Sequence, residues 1–258
     1  MDHESETILS RVNDFTYGSY ESFIEFLSKR YNIVPFRDYL SQPDPRLILR
    51  HDIDGSMTPA LRIAKLESTL GIRSTFLVAF SMRYYNLFEK SSFAGLKIIS
   101  EMGHEIGLHY DSRQYAAYSH SPHEILRHEL KSLEMLTGKP VKTIARHNVS
   151  LGGDDPFAGS QGLFNAYDEE FFKNALYVSD SCRAWRHYAL RRLLSESPPR
   201  VQLVIHPMLW SGVRRTRYEL LDSFFNDIKK ENTKYKRDWK SLWKRCLSAR
   251  DSSLDRRD

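Results

Sequence analysis

The sequence predicts an α/β protein built from βα units with parallel strands, and three observations carry that prediction. Short apolar runs alternate with amphipathic stretches of helical period, at spacings of roughly 25 to 35 residues. Four of those runs end in acid, arginine or histidine, the pattern of strands that deliver polar groups to one rim of a sheet. At 258 residues, 41% hydrophobic and 28% charged, the chain is long and apolar enough for one large core.

The elements follow in order. Phe23, Ile24, Phe26 and Leu27 give residues Ser19 to Lys29 a helical face, and Pro43 and Pro45 break the chain after it. Leu47-Ile48-Leu49-Arg50-His51-Asp52-Ile53-Asp54-Gly55 is a buried strand ending in charge. Thr58-Pro59 reads as N-cap and first residue of a helix that stops at Gly71. Strands are expected over Ser74–Val78, His104–His109, Thr143–His147, Ala175–Ser179 and Val201–Ile205. Helices are expected over Phe93–Met102 and from Ser121-Pro122 to Gly138. Asn148 to Gly162, rich in Gly, Asp and Ser, is a long loop of the kind that carries function.

Composition narrows the function classes. No apolar stretch is long enough to span a bilayer, and the acidic start Met1-Asp2-His3-Glu4-Ser5-Glu6 does not read as a secretory signal. Two cysteines, Cys182 and Cys246, make no disulfide scaffold, so a reducing, cytoplasmic setting is expected. The net charge of +5 is uneven: from Ser211 onward fourteen Lys/Arg face eight Asp/Glu, a surplus of +6 over a body at −1. In that segment Tyr235, Trp239 and Trp243 recur every four residues among basic side chains. Helices docked on the body are one reading, and contact with an anionic membrane surface or phosphate-bearing carrier is the other. Nucleic acid ranks last because no recognised binding module is present.

The chemistry gathers at the strand ends. Alternation puts Asp52 and Asp54 on one face of their strand, with His51 and Ile53 on the other. Paired carboxylates there fit either a metal site or an acid/base site, and helix capping is the structural alternative. His109 beside Asp111, His147 beside Arg146, and His206 before Pro207 lie at other rims. His104, five residues before His109, falls on the opposite strand face and reads as structural. Two imidazoles and a carboxylate would suit catalytic zinc, with Asp52 placed to take a proton from water and His206 to protonate a leaving amine. There is no phosphate-cradling glycine loop.

Over roughly residues 47 to 210 the chain resembles the polysaccharide deacetylase superfamily, which includes carbohydrate esterase family 4. Arg50-His51-Asp52-Ile53-Asp54 is similar to the family's first motif and Gly103-His104-Glu105-Ile106-Gly107-Leu108-His109 to its second. Arg146, Asp180-Ser181 with Trp185, and Val204-Ile205-His206-Pro207 are similar to the remaining three. The resemblance implies a distorted (β/α) barrel of about seven parallel strands. Outside it, the sequence reads residues 1–46 as a helical lead-in packed on the barrel and residues 211–258 as a basic, aromatic-containing helical extension. It implies a divalent metal, zinc as the first expectation, and removal of N-acetyl groups from an amino sugar. By position, Asp52 would be the base, Asp54 and His109 metal ligands, His206 the acid, Arg146 the residue orienting Asp52, and Asp180 the residue tuning His206. The family's second metal histidine falls at Arg113, a cation that cannot ligate a metal. His147 is the first choice to complete the set, with Asp111 and His51 behind it. The expected substrate is an amino-sugar, nucleotide-sugar or lipid-linked sugar precursor of a surface polysaccharide. Hydrolysis of a non-sugar amide, or an inactive barrel that binds a glycan or partner protein, are the alternatives.

Overall fold

The computed structural model describes residues 1–148, 152 and 155–254, with side-chain surroundings through residue 247. Its strands are β1 (Asn32–Val34), β2 (Arg46–Ile53), β3 (Thr75–Val78), β4 (Glu105–Tyr110), β5 (Thr143–Arg146), β6 (Phe164–Asn165), β7 (Leu176–Ser179) and β8 (Arg200–Ile205). Its helices are α1 (His3–Val12), α2 (Tyr17–Ser28), α3 (Phe36–Tyr39), α4 (Met57–Thr69), α5 (Lys90–Glu101), α6 (Ser112–Tyr115), α7 (Pro122–Thr137), α8 (Glu169–Phe172), α9 (His187–Glu196) and α10 (Arg217–Leu254).

Seven strands pair side by side in the order β6-β5-β4-β3-β2-β8-β7, and every pairing is parallel. The short β1 pairs with the first half of β2, so β1 and β3 share one edge of that strand. Among the described residues β6 and β7 do not pair with each other, which leaves a curled, open barrel, the distorted form expected. The strands predicted from sequence are all present, shifted by a residue or two at their ends.

The helix after β2 starts earlier than expected: Ser56, not Thr58, is its N-cap, and the Ser56 hydroxyl accepts from the Thr58 N–H. Asp52 and Asp54 are therefore free of the capping role that was their structural alternative. The helix α7 matches its prediction closely. Ser121 and Glu124 form a reciprocal capping box, Pro122 opens the first turn, and Gly138 closes the helix at φ 66°.

Alternation along β2 sorts its side chains between two environments. Leu47, Leu49 and Ile53 join the large apolar core beneath the outer helices, with Phe76, Val78, Leu108, Ile144 and Leu203 from neighbouring strands. Ile48 instead enters a smaller cluster inside the curl, with Leu77, Ala145, Ala166, Phe36, Tyr39 and Phe171. That plug fills the amino-terminal end of the barrel. Gly107 lies on the same inner side of β4, where a Cβ would come 2.5 Å from Leu77 Cδ2 and 2.6 Å from the Thr143 carbonyl oxygen. The curl leaves no room there for any side chain.

His51, facing outward from β2, meets a wholly buried polar group. Its Nε2–H donates to Glu67 Oε1 of α4 at 2.7 Å, Ser74 Oγ donates to Glu67 Oε2 at 2.5 Å, and the Tyr20 hydroxyl of α2 donates to Oε1 as well. His104 completes the network: its Nε2–H donates to the Ala64 carbonyl at 3.1 Å while Nδ1 accepts from the Ser74 N–H at 3.2 Å. Both histidines tie strands to α4, so His104 is structural as expected, and His51 is turned away from the barrel mouth and cannot complete a metal set there.

The chain divides into two compact units, residues 1–214 and the segment from Arg215 onward. The lead-in belongs to the first unit, since β1 extends the sheet and Phe15, Tyr20 and Phe23 pack with Trp185 and Trp210. The second unit is one continuous helix, α10, rather than several, and Tyr235, Trp239 and Trp243 on it are exposed. No helix among the described residues is long and apolar enough to cross a membrane.

Candidate metal centre

The inner face of β2 carries, in sequence, an apolar residue, a cation and two acids: Ile48, Arg50, Asp52, then Asp54 just past the strand end. Arg50 is fully buried, and its guanidinium grips Asp52 twice, Nε to Oδ1 at 2.8 Å and Nη2 to Oδ2 at 2.9 Å. Its remaining donors reach Gln202 Oε1 at 3.1 Å and the Tyr167 hydroxyl at 3.1 Å. Burial alone would raise the Asp52 carboxyl, but the Arg50 charge, helped by His109 and His206, outweighs it and holds Asp52 well below the usual carboxylate range. Asp52 is therefore a fixed, ionised carboxylate.

Arg50, and not Arg146 as expected, makes these contacts with Asp52. The reason lies in the pleat. Arg146 shares its side of β5 with Ile144, in the outer core, and its guanidinium donates to the Gly152 carbonyl. His147, one residue on, takes the inner direction of Ala145.

Three groups converge above Asp52. Asp54, His109 and His147 each offer a ligand atom, and these lie within 4.8 Å of one another. Asp54 Oδ1 is 3.5 Å from His109 Nε2 and 3.9 Å from His147 Nε2. The strand β5 stands three positions from β2, about 14 Å away in a flat sheet; the curl is what brings His147 to Asp54. His109 Nδ1–H donates to the Ala145 carbonyl at 3.0 Å, which fixes the tautomer and leaves the Nε2 lone pair facing the carboxylate. Burial pushes the His109 pKa down despite Asp52 and Asp54, so the imidazole is neutral, as a ligand must be.

Asp54 Oδ1 is buried and has no hydrogen-bond partner among the described residues. A carboxylate oxygen opposite the lone pair of a neutral imidazole is an unfavourable arrangement unless a cation lies between them. The donor set of two imidazole nitrogens and one carboxylate oxygen suits zinc, whose catalytic sites have three protein ligands and an open position. The residues present fit the group.

Arg113, where the second metal histidine would fall, points elsewhere. Its Nε and Nη2 bind Asp111 Oδ1 and Oδ2 at 3.0 and 2.9 Å, and Asp111 Oδ2 lies 3.7 Å from His147 Nδ1. Arg113 thus holds Asp111 beside His147, whose Nδ1 has the Asn148 side-chain amide at 3.1 Å as its hydrogen-bond partner. Asp111 stands behind the third ligand and does not join the set.

On the opposite wall, β8 ends in His206. Its Nδ1 donates to Asp180 Oδ1 at 2.7 Å, and Asp180 is itself anchored by the His206 backbone N–H at 3.0 Å and by Trp210 Nε1 at 2.8 Å. His206 Nε2 then points into the mouth, 3.9 Å from Asp52 Oδ2 and 3.8 Å from Asp54 Oδ2. Burial would lower its pKa, but the Asp180 hydrogen bond and charge, with Asp54 and Asp52, push it up to about 9. Imidazolium is the resting form at neutral pH.

Sequence reasoning missed Arg50 and the Arg113–Asp111 pair. The signal for Arg50 was available: it lies two residues before Asp52 and so on the same strand face.

Comparison with known proteins adds little to this geometry. No family model matches the sequence, and no curated protein matches it. Among solved structures, a pseudoenzyme of carbohydrate esterase family 4 from Bacillus anthracis aligns at 17% identity and TM-score 0.40, over 72% of this chain. This chain spans about three fifths of that protein's length, at 60%. The chitin deacetylase of the fungus Colletotrichum lindemuthianum aligns at 16% identity and TM-score 0.41, over 74% of this chain and 83% of its own. Peptidoglycan deacetylase PdaC from Bacillus subtilis aligns at 13% and 0.40, over 76% and 94%. At such values the likeness adds nothing to the strand order and distances above.

Proposed function

We propose that this protein is a divergent polysaccharide deacetylase, a metal-dependent hydrolase that removes an N-acetyl group from an amino sugar. The observation that supports this reading best is the orphaned Asp54 oxygen facing two imidazole nitrogens, beside an ionised Asp52 and a protonated His206. A divalent cation bound there would supply Lewis-acid polarisation of the acyl carbonyl.

The chain's own residues account for the proton traffic. Asp52, held by Arg50, accepts a proton from the attacking water. His206 donates its Nε2 proton to the amine nitrogen as the C–N bond breaks, and Asp180 keeps the ring aimed and charged. Water and amide thus become acetate and amine, with no other reactant. The substrate we assign is an amino-sugar, nucleotide-sugar or lipid-linked precursor in the cytoplasm.

The inactive-barrel reading drew its support from Arg113, and the Arg113–Asp111 pairing behind His147 weakens it. Acetate release from N-acetylated sugar nucleotides and from simple N-alkylacetamides, measured with and without added zinc, tests the proposal. Zinc-stimulated release from the sugars alone is expected. Equal release from simple amides would move the substrate outside sugars, and none from either would return the inactive barrel.

A further inference from the structure

The helix α10 spans 38 residues, about 57 Å at 1.5 Å per residue, and carries an apolar stripe that the metal site does not use. Its spacing is a heptad repeat. Tyr218, Phe225, Asn232, Trp239 and Cys246 recur every seven residues, and Leu221, Ile228, Tyr235 and Leu242 recur every seven between them, three residues after one member of the first row and four before the next. These are the a and d positions of a coiled coil. Apart from the half-buried Ile228, they are exposed, the large apolar ones from 40% at Leu242 to 73% at Tyr218.

We infer that α10 pairs with α10 of a second copy of this chain as a parallel, in-register coiled coil, making the protein a dimer. The flanking charges favour that partner. In a parallel pair each g residue faces the e residue five positions on in the other helix. Arg217 then meets Asp222 and Glu231 meets Lys236, both opposite in charge. Phe224 faces Lys229 and Asp238 faces Trp243, and only the last pair, Arg245 with Arg250, sets like charges together.

Asn232 fixes the direction. It is the single polar residue in the seam from Tyr218 to Leu242, and in a parallel pair it lies beside its own copy, where the two amides bond each other. An antiparallel pair sets it against an apolar d residue. An anionic membrane fits the stripe less well, because Asn232 interrupts it and Glu231 and Asp238 lie along its edge.

The test is sedimentation equilibrium of the full chain, and its outcome is independent of metal binding. Twice the chain mass is expected, falling to the single-chain mass in the Leu221→Glu, Leu242→Glu double variant with the barrel's circular dichroism retained. A second readout needs no disruption of the helix. In the Cys182→Ser protein, diamide should oxidise the two facing Cys246 thiols to an interchain disulfide, accepting their two electrons and two protons, and Cys246→Ser should abolish the cross-link. A single-chain mass at every concentration overturns the inference, as does a dimer that survives the double variant. A monomer that binds phosphatidylserine vesicles through this stripe overturns it in favour of the membrane. Failure of Cys246 to cross-link within a proven dimer overturns the parallel register.

Discussion

Replacing Arg50 with methionine removes a buried charge and leaves its partner in place. The side chain is fully enclosed, and Asp52 loses both bonds of the fork together with the charge that keeps it ionised. Breaking a buried ion pair from one side costs about 3–5 kcal/mol. At roughly 2–4 °C per kcal/mol for a chain of this size, the melting point should fall by about 6–20 °C. The pH dependence separates this cause from simple loss of packing. In the wild type Asp52 has a folded pKa below its unfolded value, so its contribution is present above the unfolded value of about 3.9 and lost as pH falls through the folded one. In Arg50→Met only His109 and His206 oppose burial, and that carboxyl rises. The gap between the two proteins should therefore be widest at neutral pH and narrow in mild acid, as Asp52 takes up a proton in the variant. Urea unfolding in the presence of chelator, at both pH values, measures it. A loss under about 1 kcal/mol, or a gap that stays constant with pH, would refute the reasoning.

Three further outcomes follow from the neighbouring side chains. His206 is raised to about 9 in part by Asp54, whose charge a bound cation would offset, so activity should fall on an alkaline limb between the ordinary imidazole range and that pH, and Asp180→Asn should move the limb to lower pH. In metal-free protein the same group contributes stability that is complete below about pH 6.5 and lost as pH rises to about 9, worth ~3 kcal/mol. Asp111→Asn should weaken zinc binding by up to about 10-fold in a competition titration, the low end for a group behind a metal histidine, since Asp111 lies 3.7 Å from His147 Nδ1. Unchanged affinity would mean that His147 does not depend on Asp111.

Much of this architecture was legible because alternation along a strand is rigid geometry. Once Leu47–Ile53 is recognised as a strand, Asp52 and Asp54 must share a face and His51 must leave it, as found. The same rule, applied one step further, gives Arg50 beside Asp52 and turns Arg146 away from it. Positional likeness to a family motif pointed to Arg146 because a motif preserves chain position and says nothing of which face a side chain takes.

The placement of His147 was harder to read. It needs the curl of four strands to meet Asp54, and curvature is a property of packing around a residue such as Gly107, not of any local pattern. Arg113 looked like a defect in the metal set, since only the folded loop shows it bound to Asp111. The continuous α10 was hidden for another reason: apolar pairs at 220–221 and 224–225 blur the period, and the heptad emerges only over the full length.

On the proposed reading, Asp54, His109 and His147 together hold a catalytic divalent cation. Isothermal titration of zinc into chelator-stripped protein tests it most directly, comparing wild type with His147→Ala and Arg113→Ala. The expected result is a single ion per chain in the wild type, little change in Arg113→Ala beyond that of a lost support for Asp111, and collapse of binding in His147→Ala. Zinc binding that survives His147→Ala undiminished, or no binding by the wild type, would contradict the account.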